Sequence, residues 1–177
     1  MVFKKTVEQI ERLNAESFKL AVKHPIILAA DNIRSGHNIG SLFRIADAFR
    51  LESVWLSSGC AKPPHPEILK TSLGAEQHVS WLFTDDLYLS IHQCKHDGYS
   101  VVAFEHCFES IPLQQFPCNP NAKYILVFGH EIHGVSQAIL DLADEIVEIP
   151  QFGVKHSINV SVSAGIAVWH FIQALIK

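Results

Sequence analysis

An α/β fold, with a mostly parallel sheet flanked by helices, is the class this sequence predicts. Two observations carry the prediction. Apolar runs of strand length alternate along the chain with segments of helical period. One of those runs, Lys123–Phe128, is apolar almost throughout, as a strand covered on both faces must be. The 177 residues suit a single domain, and 48% of them are hydrophobic, enough for a sizeable core.

Taken in order, Val7 to Val22 reads as an amphipathic helix, with Val7, Ile10, Leu13, Phe18 and Val22 along one side. Pro25 marks its end and opens a short strand, Pro25–Ala30. Asn38 to Phe49 has helical spacing of Ile39, Leu42, Phe43, Ala46 and Phe49, with Asn38 as N-cap. Val54–Leu56 is the next strand. Residues 57–78 form a long connection containing Pro63, Pro64 and Pro66, with a helical turn in its later part; connections of this length often carry function. Val79–Phe83 is a strand, Asp85 to His96 a helix with acids at its positive end, and Tyr99–Phe104 a strand. Ile111–Asn121 is Pro-rich and loop-like. After Lys123–Phe128 come a short helix from Ser136 to Leu142, capped by Ser136, a strand Glu145–Ile149, and a long apolar helix from Ile158 to Lys177. That gives six strands. Residues 1–24 read as a helical extension of a domain spanning 25–177.

Composition narrows the function. No apolar run is long and charge-free enough to span a bilayer, and the N-terminus lacks the apolar core of a signal peptide, so a cytoplasmic protein is expected. Cys60, Cys94, Cys107 and Cys118 form no CxxC pair and, with the nearby histidines, no standard metal spacing; no metal is expected. The formal charge of −4 weighs mildly against a nucleic-acid partner, although Arg34, Arg44, Arg50, Lys62, Lys70 and Lys155 would make a local basic patch if their loops converge. Four of the eleven histidines, His37, His130, His133 and His156, sit in or beside the polar runs described next.

Three runs carry the chemistry. They are Asn32–Arg44, then Phe128–Gly134 (FGHEIHG), then Ile149–Gly153 (IPQFG) leading into Ser157–Val162 (SINVSV). Each follows an apolar strand, and parallel sheets place ligands at the carboxyl ends of their strands. Gly129, Gly134 and Gly153 permit tight turns and close backbone approach. Neither GxxxxGK[ST] nor GxGxxG occurs, which argues against an ATPase or an ordinary dinucleotide enzyme. No G-x-S-x-G elbow occurs either, so a hydrolase is disfavoured. What remains is an Arg, a Glu, two Asn and a Ser around glycine turns, a set suited to orienting polar substrates for a group that a cofactor already activates.

In order and spacing these runs resemble the three motifs of the SpoU (TrmH-like) RNA ribose 2′-O-methyltransferases, over roughly residues 26–172. The first motif's Asn and Arg, six residues apart, match Asn38 and Arg44. FGxExxG matches Phe128–Gly134, with Glu131 as the acid. IPMxGxxxSLNVSVA matches residues 149–163, with Gln151 in place of Met and Ile158 in place of Leu, changes expected to adjust packing rather than remove binding; Ile45 stands where Thr is common. The resemblance implies catalytic roles for Asn38, Arg44, Glu131, Ser157 and Asn159. It implies a pocket for S-adenosyl-L-methionine formed by Phe104, Glu105, Gly129, Ile149, Gln151, Ser157 and Ile158. Glu131 is expected to pair with Arg44 or with a backbone amide of the turn. The resemblance further implies a deep C-terminal trefoil knot, a homodimer whose second subunit completes the site, and an RNA substrate, tRNA first. The alternatives are the same chemistry on rRNA, or a knotted RNA-binding protein without catalysis.

Overall fold

Among the described residues, seven strands form one parallel sheet in the order β3-β2-β1-β6-β4-β7-β5. They are β1 (His24–Ala30), β2 (Leu51–Ser57), β3 (Trp81–Thr84), β4 (Tyr99–Phe104), β5 (Ile111–Pro112), β6 (Lys123–Phe128) and β7 (Glu145–Glu148). The described residues also form the helices α1 (Ala15–Leu20), α2 (Gly36–Ala48), α3 (Pro66–Ser72), α4 (Leu87–His96), α5 (Gln137–Leu142) and α6 (Val160–Leu175). The structure is a computed structural model, and it describes residues 2–6, 13–155 and 157–176.

The sheet is buried on both faces, as its near-continuous apolar strands require. On one face Ile26, Leu28, Ala30, Val102, Leu126 and Phe128 pack under α2 and α6 with Ile39, Leu42, Phe43, Val168 and Phe171. On the other, Ile27, Ala29, Val101, Ala103, Ile125 and Val127 meet Leu87 and Ile91 of α4 and Ile139 of α5. The alternation along β1 and β6 thus splits each strand between two cores.

The strands β4 and β6 have the bounds the sequence predicts, and the others differ by one to three residues at an end. Four differences have physical reasons. The N-terminal helix is shorter: α1 spans Ala15–Leu20, capped by Asn14, whose side chain accepts from the N–H of Ser17. Only Phe18 of the expected stripe is buried there; Leu13 and Val22 are exposed, and Val7 and Ile10 lie outside the described residues. The cap of α2 is Ser35, which accepts from the N–H of Asn38, so Asn38 is not the cap but lies in the first turn with its amide free for other work. Ser136 stands at the cap of α5 without a side-chain bond. A seventh strand, β5, has only two residues, one of them a proline, and hides in the Pro-rich stretch.

No described helix is long and apolar enough to cross a membrane.

Candidate active site

The site begins with register. Ala30 of β1 pairs with Phe128 of β6, Phe128 with Phe104 of β4, and Phe104 with Val147 of β7. Four neighbouring strands therefore end in one row, and the segments after them leave from a common edge. Those segments are the three motif runs and Glu105.

The β6–α5 turn is shaped by two glycines. His130 N–H donates to the carbonyl of Gly134 at 3.0 Å and Gly134 N–H returns a bond to His130 at 2.9 Å, folding the run onto itself. A Cβ on Gly129 would lie 2.0 Å from the carbonyl carbon of Gly134 and 2.1 Å from the nitrogen of Val135. Gly134 has φ +68°, and a Cβ there would lie 1.9 Å from Glu105 Oε2. Glu105 reaches into that space to accept from Val135 N–H at 2.9 Å, and its other oxygen accepts from His106 N–H at 2.9 Å. Glu105 therefore clasps the turn to the end of β4. Gly153, expected to serve the same purpose, does not: a Cβ there meets nothing within 4 Å, and its backbone is not left-handed.

The turn presents Glu131 to the first motif. Its carboxylate accepts from Asn38 Nδ2 at 2.9 Å and, more loosely, from the N–H groups of Ser35 (3.3 Å) and Arg34 (3.4 Å). Asn38 Oδ1 in turn accepts from Asn159 Nδ2 at 3.0 Å. Asn159 also caps α6, its oxygen accepting from Ser161 N–H at 2.8 Å. One directed chain of bonds, Asn159 to Asn38 to Glu131, thus ties all three motifs together, and each amide keeps a second N–H for a ligand. Partial desolvation pushes the Glu131 carboxyl up, but bonds from its own amide, Asn38, Ser35 and Arg34 outweigh it and hold it below the usual carboxylate range. Glu131 is therefore an anchor rather than a proton acceptor at neutral pH.

Beside this chain lies a cleft of about 490 Å³. It is bordered by every residue expected to hold the cofactor: Phe104, Glu105, Gly129, Ile149, Gln151, Ser157 and Ile158. Glu131 and Asn159 border it as well. Phe104 is stacked on Phe128 at 4.8 Å, which fixes an apolar floor, while Gln151 Nε2 lies 3.0 Å from His106 Nε2 on the polar side. An apolar floor ringed by polar groups suits a flat heteroaromatic ring carrying a polar tail.

Arg44 is not among these groups. Six residues separate it from Asn38 on one helix, about 9 Å along the axis and about 240° around it. It is exposed and, among the described residues, has no hydrogen-bond or ion-pair partner. Of the two partners expected for Glu131, Arg44 is not in contact with it; backbone amides, including its own in the turn, bond it together with Asn38.

The model of the SpoU rRNA Methylase family matches residues 25–169. This chain belongs to that family. Among curated relatives, a 23S rRNA (guanosine-2′-O-)-methyltransferase RlmB of Neisseria meningitidis serogroup B is 28% identical over 144 residues, covering 81% of this chain and 56% of the relative. A tRNA (guanosine(18)-2′-O)-methyltransferase of Aquifex aeolicus is 28% identical over 148 residues, covering 81% and 67%. The chain thus spans little more than half of the first of these. Among solved structures, the A. aeolicus TrmH/SpoU tRNA modifying enzyme superposes with a TM-score of 0.79 at 25% identity, covering 90% of this chain and 81% of that one.

Beyond the motif positions, this SpoU-family chain uses residues that sequence reasoning passed over. Asp31, directly after β1, is buried and accepts from Ser136 N–H at 2.8 Å, joining the first two motif loops. His106 borders the cleft with Nδ1 3.2 Å from Glu148, whose carboxyl is held below its ordinary value by His106 and Ser110. An acid placed right after an apolar strand, as Asp31 and Glu105 both are, was the available signal. His156, beside the third motif, lies outside the described residues, and the six candidate basic side chains, from Arg34 to Lys155, are all exposed.

Proposed function

We propose that this chain is an S-adenosyl-L-methionine-dependent methyltransferase acting on a ribose 2′-hydroxyl of tRNA or rRNA. The observation that carries the reading is the Asn159–Asn38–Glu131 chain lying on the rim of a cleft bordered by all seven expected cofactor residues. The relatives named above, one for each RNA class, support it.

The donor set fits the cofactor. Phe104, Ile149 and Ile158 would enclose the adenine, and Ser157, Gln151 and the Gly129 backbone would meet the polar parts. S-adenosyl-L-methionine supplies an electrophilic methyl on a sulfonium that departs as a neutral thioether. The residues then have two tasks. Asn38 and Asn159 hold the sugar by their free amide N–H groups, fixed in direction because each carbonyl and one N–H of each are already bonded. Arg44 supplies positive charge for the alkoxide that develops as the hydroxyl proton leaves to solvent, and it grips the adjoining phosphate. An arginine's pKa lies above about 12, so it stabilises charge rather than removing the proton.

Arg44 lies off the rim of its own cleft, so we place it in the site of a second subunit. The exposed face of α6, with Val162, Ile166 and Trp169 each 42–51% accessible, offers the apolar surface for a twofold pairing next to α2. A knotted C-terminus belongs to this reading. It is supported by α6 lying between the end of α2, where Trp169 meets the C-cap residue Phe49, and the loop after β5, where His170 bonds the carbonyl of Phe116 at 3.1 Å. A catalytic domain at 25–177, with residues 1–24 as an extension of it, and work in the cytoplasm belong to the same proposal.

S-adenosylhomocysteine, the product, should raise the melting temperature. At a hundred times its Kd the stabilisation is about 2.7 kcal/mol, roughly 5–10 °C for a chain of this size. Differential scanning fluorimetry measures it, and no shift at millimolar ligand would refute the cofactor assignment.

A further inference from the structure

A second cavity, of about 310 Å³, opens beside the β6–α5 turn, between it and the loops that follow β1 and β2. Asp31, Asn32, Arg34, His130, His133 and Ser136 border it. His130 also borders the first cleft, so the two spaces adjoin. The backbone N–H of Arg34 is one of the donors to Glu131, which couples the wall of this cavity to the proposed catalytic chain.

Its chemistry is specific. Asp31 is 3% exposed and has no cationic partner among the described residues. Ser136 N–H (2.8 Å) and Asn32 Nδ2 (2.7 Å) fix its carboxylate and take two of its roughly four acceptor positions. Asn32 is itself set in a left-handed conformation, φ +58°, with its N–H on Ser57 Oγ at 2.8 Å. The His130 ring accepts at Nδ1 from the N–H groups of Ile132 (3.0 Å) and His133 (3.3 Å), so the neutral ring carries its proton on Nε2. That Nε2 is buried and finds no partner among the described residues, a donor without an acceptor. The His133 ring leans on it with centroids 4.7 Å apart, and the Arg34 guanidinium is exposed and unpaired among the described residues.

A buried carboxylate repels phosphate, so this is not an anion site. It suits a flat ring that offers N–H donors on one edge and acceptors on another. Guanine has that pattern: its N1–H and amino group match a carboxylate, and its O6 and N7 match an exposed arginine. Single-stranded RNA is read in this way, by stacking and edge hydrogen bonds on an unstacked base. We propose that this cavity takes the base of the acceptor nucleotide and selects guanine through Asp31, with Arg34, His130 and His133 as the donor and stacking walls. The inference rests on the RNA methyltransferase reading above.

The test uses the full chain saturated with S-adenosylhomocysteine, so that the first cleft is filled, titrated calorimetrically with GMP, AMP, CMP and UMP. GMP should bind about tenfold or more tighter than the other three, the scale of one two-pronged base contact. Asp31→Asn should erase that preference, since an amide presents a donor where guanine needs an acceptor. Because Asp31 also holds a loop, the exposed His133→Ala is the second variant; it should weaken GMP by about tenfold, the scale of one lost stacking partner, with S-adenosylhomocysteine affinity unchanged. S-adenosylhomocysteine binding without a guanine preference, or GMP affinity unmoved by His133→Ala, would overturn this inference alone. Failure of the wild-type chain to bind S-adenosylhomocysteine would overturn the methyltransferase reading and this inference together.

Discussion

Arg44→Ala should lower methyl transfer by a factor on the order of 100 or more while leaving S-adenosylhomocysteine affinity nearly unchanged. The split follows from geometry: Arg44 does not border the cleft of its own chain, so its loss leaves every proposed cofactor contact in place. A ribose hydroxyl is a weak nucleophile until negative charge on its oxygen is stabilised, and an exposed guanidinium without an internal partner is free to do that for a neighbouring site. Arg44→Lys should rescue little, because an ammonium lacks the planar, two-pronged donor geometry. Subunit mixing adds a sharper reading. Arg44→Ala and Asn159→Ala are each expected to be inactive alone, and in the proposed dimer a mixed pair would hold one site with both groups intact. Tritiated-methyl incorporation should therefore reappear on mixing. Persistent inactivity of the mixture would place Arg44 in its own subunit's site, and near-normal turnover by Arg44→Ala would remove it from the chemistry.

Gly129→Ala should weaken S-adenosylhomocysteine by about 100-fold, the scale of misplacing contact groups by about 1 Å. The added methyl would sit 2.0 Å from the Gly134 carbonyl carbon, against backbone that cannot rotate away. Relief requires opening the paired bonds between His130 and Gly134, and with them the positions of Glu131 and of the Glu105 clasp. Gly153→Ala is the matched control. It meets open space at an ordinary φ, so stability should stay within about 0.5 kcal/mol. Isothermal calorimetry and thermal melts on the two variants separate a turn that must close from a loop that merely contains a glycine. Equal cofactor affinity in Gly129→Ala and wild type would contradict the role assigned to the turn.

Much of this was legible because the fold writes its pattern locally. Continuous apolar runs such as Lys123–Phe128 state double burial, and the two long strands at the centre of the site have the bounds their composition implies. The seven residues expected to hold the cofactor border one cleft because the register sets four strand ends in a row, not because any single run is diagnostic. What escaped was set by contacts between distant segments. Ser35 rather than Asn38 caps α2, and that exchange releases the Asn38 amide for Glu131, a partner 93 positions away. Gly129 and Gly153 look alike in sequence, yet only one has a backbone packed against it. Asp31 reads as an ordinary loop acid until Ser136, 105 positions on, donates to it. Arg44 matches its motif by spacing alone, and the helix turns it away from the other motif residues of its own chain.

Methyl transfer to a ribose leaves a defined chemical product, which mass spectrometry of RNA digests detects. Unmodified tRNA and rRNA incubated with the protein and S-adenosyl-L-methionine should yield a nucleoside 14 Da heavier, with the added mass on the sugar and an alkali-resistant phosphodiester on its 3′ side. Digests that show no ribose methylation on either RNA, or a methyl carried on a base, would contradict the account.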